Sequence, residues 1–298
     1  MKISVIGIGR VGKAIAFAII TKGLATELVL VGRTKESGIG DALDLRHASC
    51  FGRPTAVTSG SVEETTDSDV VILTLSSAEV VDDRRAGVHA NAELFRAVVK
   101  PLALASPDAI FIVVTNPVDV MTQLTQDLSG LPLERVLGSG TLLDTLRFRA
   151  LLADRCNVHP LDIRAYVLGE HGDSQVAAIS SASVGGAPLG IPLEEVHLLA
   201  EEAKDAGMRV MRHKGYTNFA VALSTMMIVE AVSKDTHEVL PVSTRLTDYC
   251  GVSGVCLSVP SVVGRKGVVR TLPIRLNAQE TVAFQHSAEI IRKTLAAC

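Results

Sequence analysis

Gly169-Glu170-His171-Gly172-Asp173-Ser174 sets one histidine in a run of glycines and polar residues that could neither hold a helix nor fill a core. An imidazole titrates near neutrality, so a histidine in such a segment can accept or return a proton at working pH. Leu143-Asp144-Thr145-Leu146-Arg147 supplies a carboxylate and, three residues on, a guanidinium near one helical turn away. At the start of the chain, Gly7-Ile8-Gly9-Arg10-Val11-Gly12 has the spacing of a turn that cradles a diphosphate. Together the three segments read as the parts of a hydride-transfer enzyme. They offer a dinucleotide fold, a titratable base, a carboxylate to orient it and an arginine to hold an acid substrate.

The glycine pattern alone is a weak signal, but here it follows an apolar run at 3–6 and opens a helical stretch at 11–21, which is the context it requires. Gly7 permits the tight turn, Gly9 lets the backbone approach a pyrophosphate, and Gly12 lets helix and strand pack closely, with Arg10 and Val11 completing the loop. The diphosphate then sits on the positive end of the helix. An acidic residue about twenty positions on would bind the ribose 2′-OH of NAD. That place is taken by Gly32, followed by Arg33 and Thr34. The missing carboxylate removes a repulsion against a 2′-phosphate, and Arg33 and Thr34 offer a planar cation and a hydroxyl donor. The expected cofactor is therefore NADP. NAD is the second choice, which holds if Arg33 is a solvated turn residue.

These residues must be positioned by the rest of the 298-residue chain, a length that fits two domains. With 47% hydrophobic residues, 3% aromatic and no Trp, the interior must be built from Val, Ile, Leu and Ala, as suits a parallel sheet covered by helices. Strand signals at 3–6, 28–31, 70–75, 110–114 and 136–137 alternate with helical stretches at 11–21, 37–48 and 91–105, the last broken at Pro101. After 140 the pattern changes to long amphipathic helices at 142–155, 193–212 and 217–233, and to strands at 163–168, 239–242 and 252–259. Asn277-Ala278-Gln279-Glu280 reads as a capping box opening a C-terminal helix. The fold class is α/β: a doubly wound parallel-sheet Rossmann domain over 1–140, followed by a mixed α+β substrate domain over 141–298. The boundary falls near Gly138-Ser139-Gly140, and with no flexible linker the domains should pack directly on each other.

A formal net charge of −3 leaves no footprint for nucleic acid or an anionic membrane. The apolar run at 14–20 is too short to span a bilayer, and the first residues read as a strand running into a glycine turn rather than a signal peptide. Five cysteines, odd in number and without metal-ligand spacing, read as free thiols in a reducing cytosol, so a cytoplasmic protein without a metal is expected.

The chain resembles the L-lactate/malate dehydrogenase family over essentially its whole length. The likeness rests on five short motifs in the correct order: the glycine turn, Thr115-Asn116-Pro117-Val118-Asp119, Gly138-Ser139-Gly140-Thr141-Leu142-Leu143-Asp144-Thr145-Leu146-Arg147, the segment around His171, and Lys214-Gly215-Tyr216-Thr217. Within the family it looks closest to the lactate and branched L-2-hydroxyacid dehydrogenases. The resemblance implies that His171 is the general base, that Asp144 fixes its tautomer and stabilises the imidazolium, and that Arg147 clamps the substrate carboxylate. A plain intrahelical ion pair between Asp144 and Arg147 is the competing reading. The resemblance also implies that Asn116 orients nicotinamide and substrate, that the bond before Pro117 is cis, that Thr217 and Val221 line the pocket, and that the subunits form dimers or tetramers. A second arginine should polarise the carbonyl. Counting back from Asn91 places it at Arg84, with the adjacent Arg85 as the alternative.

The loop before Arg84 departs from the family. At Ala78, Glu79 and Val80 it carries neither the Gln usual in lactate enzymes nor the Arg usual in malate enzymes. Without a cation there, a second substrate carboxylate lacks a partner, so the expected substrate is a monocarboxylic 2-keto or 2-hydroxy acid. A malate dehydrogenase is the alternative if Arg85 turns inward. A catalytically silent nicotinamide-binding module is the alternative of another class, though it would need none of His171, Asp144, Arg147, Arg84 and Asn116. Arg149 and Arg164 match positions that help form an anion effector site in some bacterial relatives, and solvated or ion-paired arginines are the simpler expectation.

Overall fold

The computed structural model describes residues 1–77 and 84–298, without the side chains of 84–86. The first half runs β1 (Lys2–Ile6), α1 (Arg10–Thr21), β2 (Glu27–Val31), α2 (Ile39–Ser49), β3 (Ala56–Gly60), β4 (Val70–Leu73), α3 (Arg84–Ala105), β5 (Ile110–Val113), α4 (Val118–Ser129) and β6 (Val136–Gly138). The second half runs α5 (Leu142–Cys156), β7 (Ile163–Arg164), β8 (Val167–Leu168), β9 (Val176–Ala177), β10 (Ser183–Val184), α6 (Leu193–Lys214), α7 (Phe219–Lys234), β11 (Glu238–Arg245), β12 (Cys256–Gly264), β13 (Gly267–Thr271) and α8 (Ala278–Ala296).

Six strands pair in parallel in the order β3-β2-β1-β4-β5-β6, so the winding reverses between β1 and β4. In an open sheet of this kind a crevice forms at that reversal, beyond the carboxyl ends of the strands. β4 and β5 are buried along their whole length, as expected of Val/Ile/Leu/Phe runs covered on both faces. The sheet does not end with the first half. β11 joins β6 antiparallel at the pair Ser243–Gly138, and β12 and β13 follow, giving one sheet of nine strands among the described residues. The core crosses the halves too: Ile15 and Ile19 of α1 lie in one apolar cluster with Ile228 and Val229 of α7. The direct packing expected from the lack of a linker is therefore present.

Several expected elements need correction. α3 runs unbroken through Pro101 and begins at Arg84 rather than 91. Proline removes one helical hydrogen bond, but Phe95, Val99 and Leu102, all fully buried, keep the helix on the sheet. β3 and α4 gave no sequence signal. β3 is an edge strand with Thr58 and Ser59 in it, and the buried side of α4 carries Thr122, Gln123, Thr125 and Gln126, which mask an apolar stripe. The expected strand at 163–168 is two short strands, β7 and β8, and β13 is an addition.

The capping box is formed in full: Asn277 Oδ1 accepts from Glu280 N at 2.8 Å, and Glu280 Oε2 accepts from Asn277 N at 2.9 Å. It fixes the start of α8, whose Ser287 Oγ accepts from Glu170 N at 2.7 Å, next to His171. Asn277→Ala should cost about 1 kcal/mol of stability, a typical cap value. Glu280→Ala should cost more, because its carboxylate also accepts from Ser180 N and Oγ. Urea midpoints of the two variants check the order; equal midpoints would remove the added role of Glu280.

Candidate active site

The glycine turn lies where β1 enters α1, at the reversal of winding. Gly7 has φ +98°, and a Cβ there would sit 2.6 Å from Leu75 N. A Cβ on Gly12 would collide with the Gly7 carbonyl oxygen. Both positions therefore require glycine, and the turn is tied down by Gly7 N donating to Val31 O at 2.8 Å and Thr74 Oγ1 donating to Gly7 O at 2.5 Å. At Gly9, by contrast, a Cβ would meet nothing within 4 Å. This gives a tight turn with open space over a helix N-terminus, a cradle that fits a diphosphate. Arg10 opens α1 and its guanidinium stacks 4.2 Å from the ring of Tyr216, in the segment between α6 and α7. Val11 packs against the core.

Gly32, Arg33 and Thr34 follow β2, the strand next to β1. A side chain at Gly32 would collide with Ser37 Oγ, which instead donates to Thr34 O at 2.6 Å. Lys35 is engaged with Glu64, which holds the ammonium pKa up and the carboxyl down at about 2. Arg33 and Thr34 are exposed, and Arg33 has no ion-pair partner among the described residues. Arg33 is thus the available cation at the edge of the turn.

Three elements converge on His171. Its main-chain N donates to Asp119 Oδ2 of α4 at 2.8 Å, and its Nδ1 lies 2.5 Å from Asp144 Oδ2 of α5. From α8, Ser287 holds the neighbouring Glu170. Asp144 is buried, with 4% of its side chain exposed, and its second oxygen pairs with Arg147 Nη1 at 3.2 Å. Burial alone would push the Asp144 carboxyl up, yet the charge and hydrogen bond of His171, with Arg147, bring it below the ordinary value. For His171, burial favours the neutral ring, but Asp144 outweighs it through charge and hydrogen bond, aided by Asp119, and the pKa is raised. With Asp144 ionised, Nδ1 is the donor. Nε2, on a ring still 27% exposed, is left as the nitrogen that can exchange a proton with a bound molecule.

The Asp144–Arg147 ion pair weighed above is therefore present. It occupies one end of a guanidinium that has five donors, so a fork for an incoming carboxylate remains. Asn116 is exposed, its bond to Pro117 is cis, and its carbonyl accepts from Asn91 Nδ2 at 2.9 Å. Asn91 Oδ1 in turn accepts from Ser77 N at 2.9 Å, fastening the chain shortly after β4. Thr217 is half-buried between α6 and α7, and Val221, in the first turn of α7, packs against the core. The expectations for Ala78, Glu79, Val80 and the side chains of Arg84 and Arg85 fall outside the described residues. Arg149 is half-buried rather than solvated: its Nε donates to Ala165 O at 2.8 Å and its guanidinium lies over the Tyr166 ring. Arg164 bonds Leu161 O at 2.9 Å. Among the described residues no cluster could hold a metal, and the five cysteines are free thiols.

Two contacts escaped sequence reasoning. Asp119 carried a motif but no role, and Tyr216 was a motif residue with no predicted partner. The available signal for the first was an acid directly after Asn116-Pro117-Val118, in a motif whose Asn116 had a role.

Residues 1–138 match the family described as lactate/malate dehydrogenase, NAD binding domain, and residues 141–298 match its alpha/beta C-terminal domain. The chain belongs to the lactate/malate dehydrogenase family. It is 41% identical over 301 residues to the L-lactate dehydrogenase of Synechococcus sp. (strain JA-3-3Ab), and 39% identical over 308 residues to that of Thermoanaerobacter sp. (strain X514). Each alignment covers 99% of this chain and 98% of the relative. The crystal structure of the minor L-lactate dehydrogenase from Enterococcus mundtii in its ligands-bound form superposes with a TM-score of 0.95 at 37% identity, covering 99% of this chain and 97% of that one. The family membership makes this chain an NAD(P)-dependent dehydrogenase of the 2-hydroxyacid type, and these relatives do not favour the malate alternative.

The electrostatics give a direct test. Asp144→Asn replaces the charge that dominates the rise of the His171 pKa, so the ring should titrate about one to three units lower. NMR of the labelled imidazole measures this. An unchanged midpoint would mean that the 2.5 Å contact does not control the proton.

Proposed function

We propose that the chain is an NADP(H)-dependent L-2-hydroxyacid dehydrogenase acting on a monocarboxylic substrate, lactate and pyruvate or a longer aliphatic pair. The observation that carries the chemistry is the single buried carboxylate of Asp144, with the imidazole of His171 on one oxygen and the guanidinium of Arg147 on the other. The free donors of Arg147 bind the substrate carboxylate, which sets the adjacent hydroxyl carbon beside the histidine. In oxidation His171 Nε2 takes the hydroxyl proton while Asp144 stabilises the resulting imidazolium. In reduction the imidazolium returns it. The nicotinamide, when bound, supplies the hydride acceptor or donor. Arg84 polarises the carbonyl, Asn116 orients substrate and nicotinamide by hydrogen bonds, and Thr217 and Val221 form the pocket wall.

In this reading residues 1–140 hold the cofactor through Gly7, Gly9, Arg10, Val11 and Gly12, with Gly32, Arg33 and Thr34 at the 2′-phosphate, and residues 141–298 hold the substrate. Arg33, without an ion-pair partner among the described residues, and the absent carboxylate at Gly32 support NADP over NAD. Self-association is supported by exposed apolar side chains on packed helices: Phe17 of α1, Ile39 and Leu43 of α2, and Phe219 and Leu223 of α7. Free thiols fit a reducing cytoplasm, and no described helix is long and apolar enough to cross a membrane.

Arg33→Ala should weaken NADPH binding about 10- to 150-fold, the value of one charge-assisted hydrogen bond, and leave NADH nearly unchanged. Equal losses for both cofactors, measured by fluorescence titration, would sink the assignment. His171→Ala should abolish turnover while cofactor binding persists; near-normal kcat in that variant would mean that another group carries the proton. With NADPH, kcat/KM should be higher for pyruvate or a longer aliphatic 2-keto acid than for oxaloacetate, whose second carboxylate would be buried without a partner. A preference for oxaloacetate that disappears in Arg85→Ala would reverse the substrate assignment.

A further inference from the structure

The mechanism leaves one buried ionisable group unused at the site. Asp119, 1% exposed in the first turn of α4, points its carboxylate away from solvent. One oxygen accepts the main-chain N–H of His171 at 2.8 Å, and the other accepts from Ser243 Oγ of β11 at 2.6 Å. The described contacts hold no cation on it. Two neutral donors could be met by an amide or a hydroxyl at much lower desolvation cost, so the negative charge calls for a reason.

The charge has a target. The groups that face Asp119 are His171 and Glu170 of the catalytic segment, Ser243 of β11 and the buried Cys256 thiol of β12, and among these His171 is the one that can become positive. Burial is the main cause that pushes the Asp119 carboxyl up to about 6, opposed by the Ser243 and His171 N–H bonds, and its charge acts to raise the pKa of His171. Position matters as well. Asp119 stands three residues after Asn116, so it links the histidine to the helix that starts at the proposed substrate and nicotinamide contact.

We propose that Asp119 is a positioning residue for His171: it fixes the main chain of the histidine against α4 and, together with Asp144, provides the negative field that holds the imidazolium. The inference rests on the reading of His171 as the proton carrier.

The test uses the full chain and three variants. In Asp119→Asn the fall of kcat/KM for pyruvate reduction on the alkaline side should move down by roughly half a pH unit or more, following the imidazole. kcat should drop about tenfold with KM within about threefold, because a misplaced base affects the reacting state more than the bound one. NADPH affinity should be unchanged. An unmoved alkaline limb with unchanged kcat overturns the proposal. NMR of the His171 ring keeps the test open if that variant fails to fold. In the wild type the ring should register a second, smaller inflection near the Asp119 ionisation at about 6, and Ser243→Ala, which removes a donor to the charged form, should move that inflection to higher pH. Absence of the inflection, or no movement in Ser243→Ala, overturns the proposal too. His171→Ala separates the two ideas: if it turns over normally the proton-carrier reading fails, whereas a dead His171→Ala beside a silent Asp119→Asn removes only the role of Asp119.

Discussion

The site depends on a carboxylate that is buried and shared. Asp144 has almost no contact with water, and a carboxylate in that position stays ionised only because His171 and Arg147 face its two oxygens. The arrangement serves each member. The carboxylate selects the tautomer of the histidine and raises its pKa, and it holds the arginine in a fixed direction with donors to spare. Guanidinium and imidazole are thereby set at a fixed separation by one side chain, on a helix whose buried residues Phe148 and Leu152 anchor it in the core.

The sheet brings these residues to the same place. Parallel strands with reversed winding open a crevice beside β1 and β4, and the glycine turn and the end of β4 meet there through Thr74 and Gly7. The segment bearing His171 belongs to the second half of the chain, yet it is fastened by Asp119 from the first half, by Asp144 from the next helix and by Ser287 from the last.

What the sequence made legible follows from how local each signal is. The glycine turn, the cap at Asn277 and the run around His171 are each specified within a few residues, and each stands where its spacing implied. The family resemblance brought Asp144 to His171 across 27 residues of chain, which no local pattern could do. β3 was lost because it is a short edge strand with Val57 as its one large buried side chain, and α4 because its buried face carries Thr and Gln, whose hydrogen bonds are satisfied only in the folded state. Pro101 misled for the opposite reason: its local cost is outweighed by the packing of Phe95 and Val99. Asp119 could be read as an acid in a motif, but its two partners lie 52 and 124 residues away.

The join between β6 and β11 rests on one registered pair, Ser243 with Gly138, and the hydroxyl of Ser243 is the same group that bonds Asp119. The seam of the molecule therefore passes through the support of the histidine. Parting the halves would bare two unsatisfied strand edges, that of β6 and that of β11, and would open the apolar cluster shared by α1 and α7. Neither half closes its own sheet edge and core in this architecture. Each half completes the sheet and core of the other, and the segment that bears His171 takes its contacts from both.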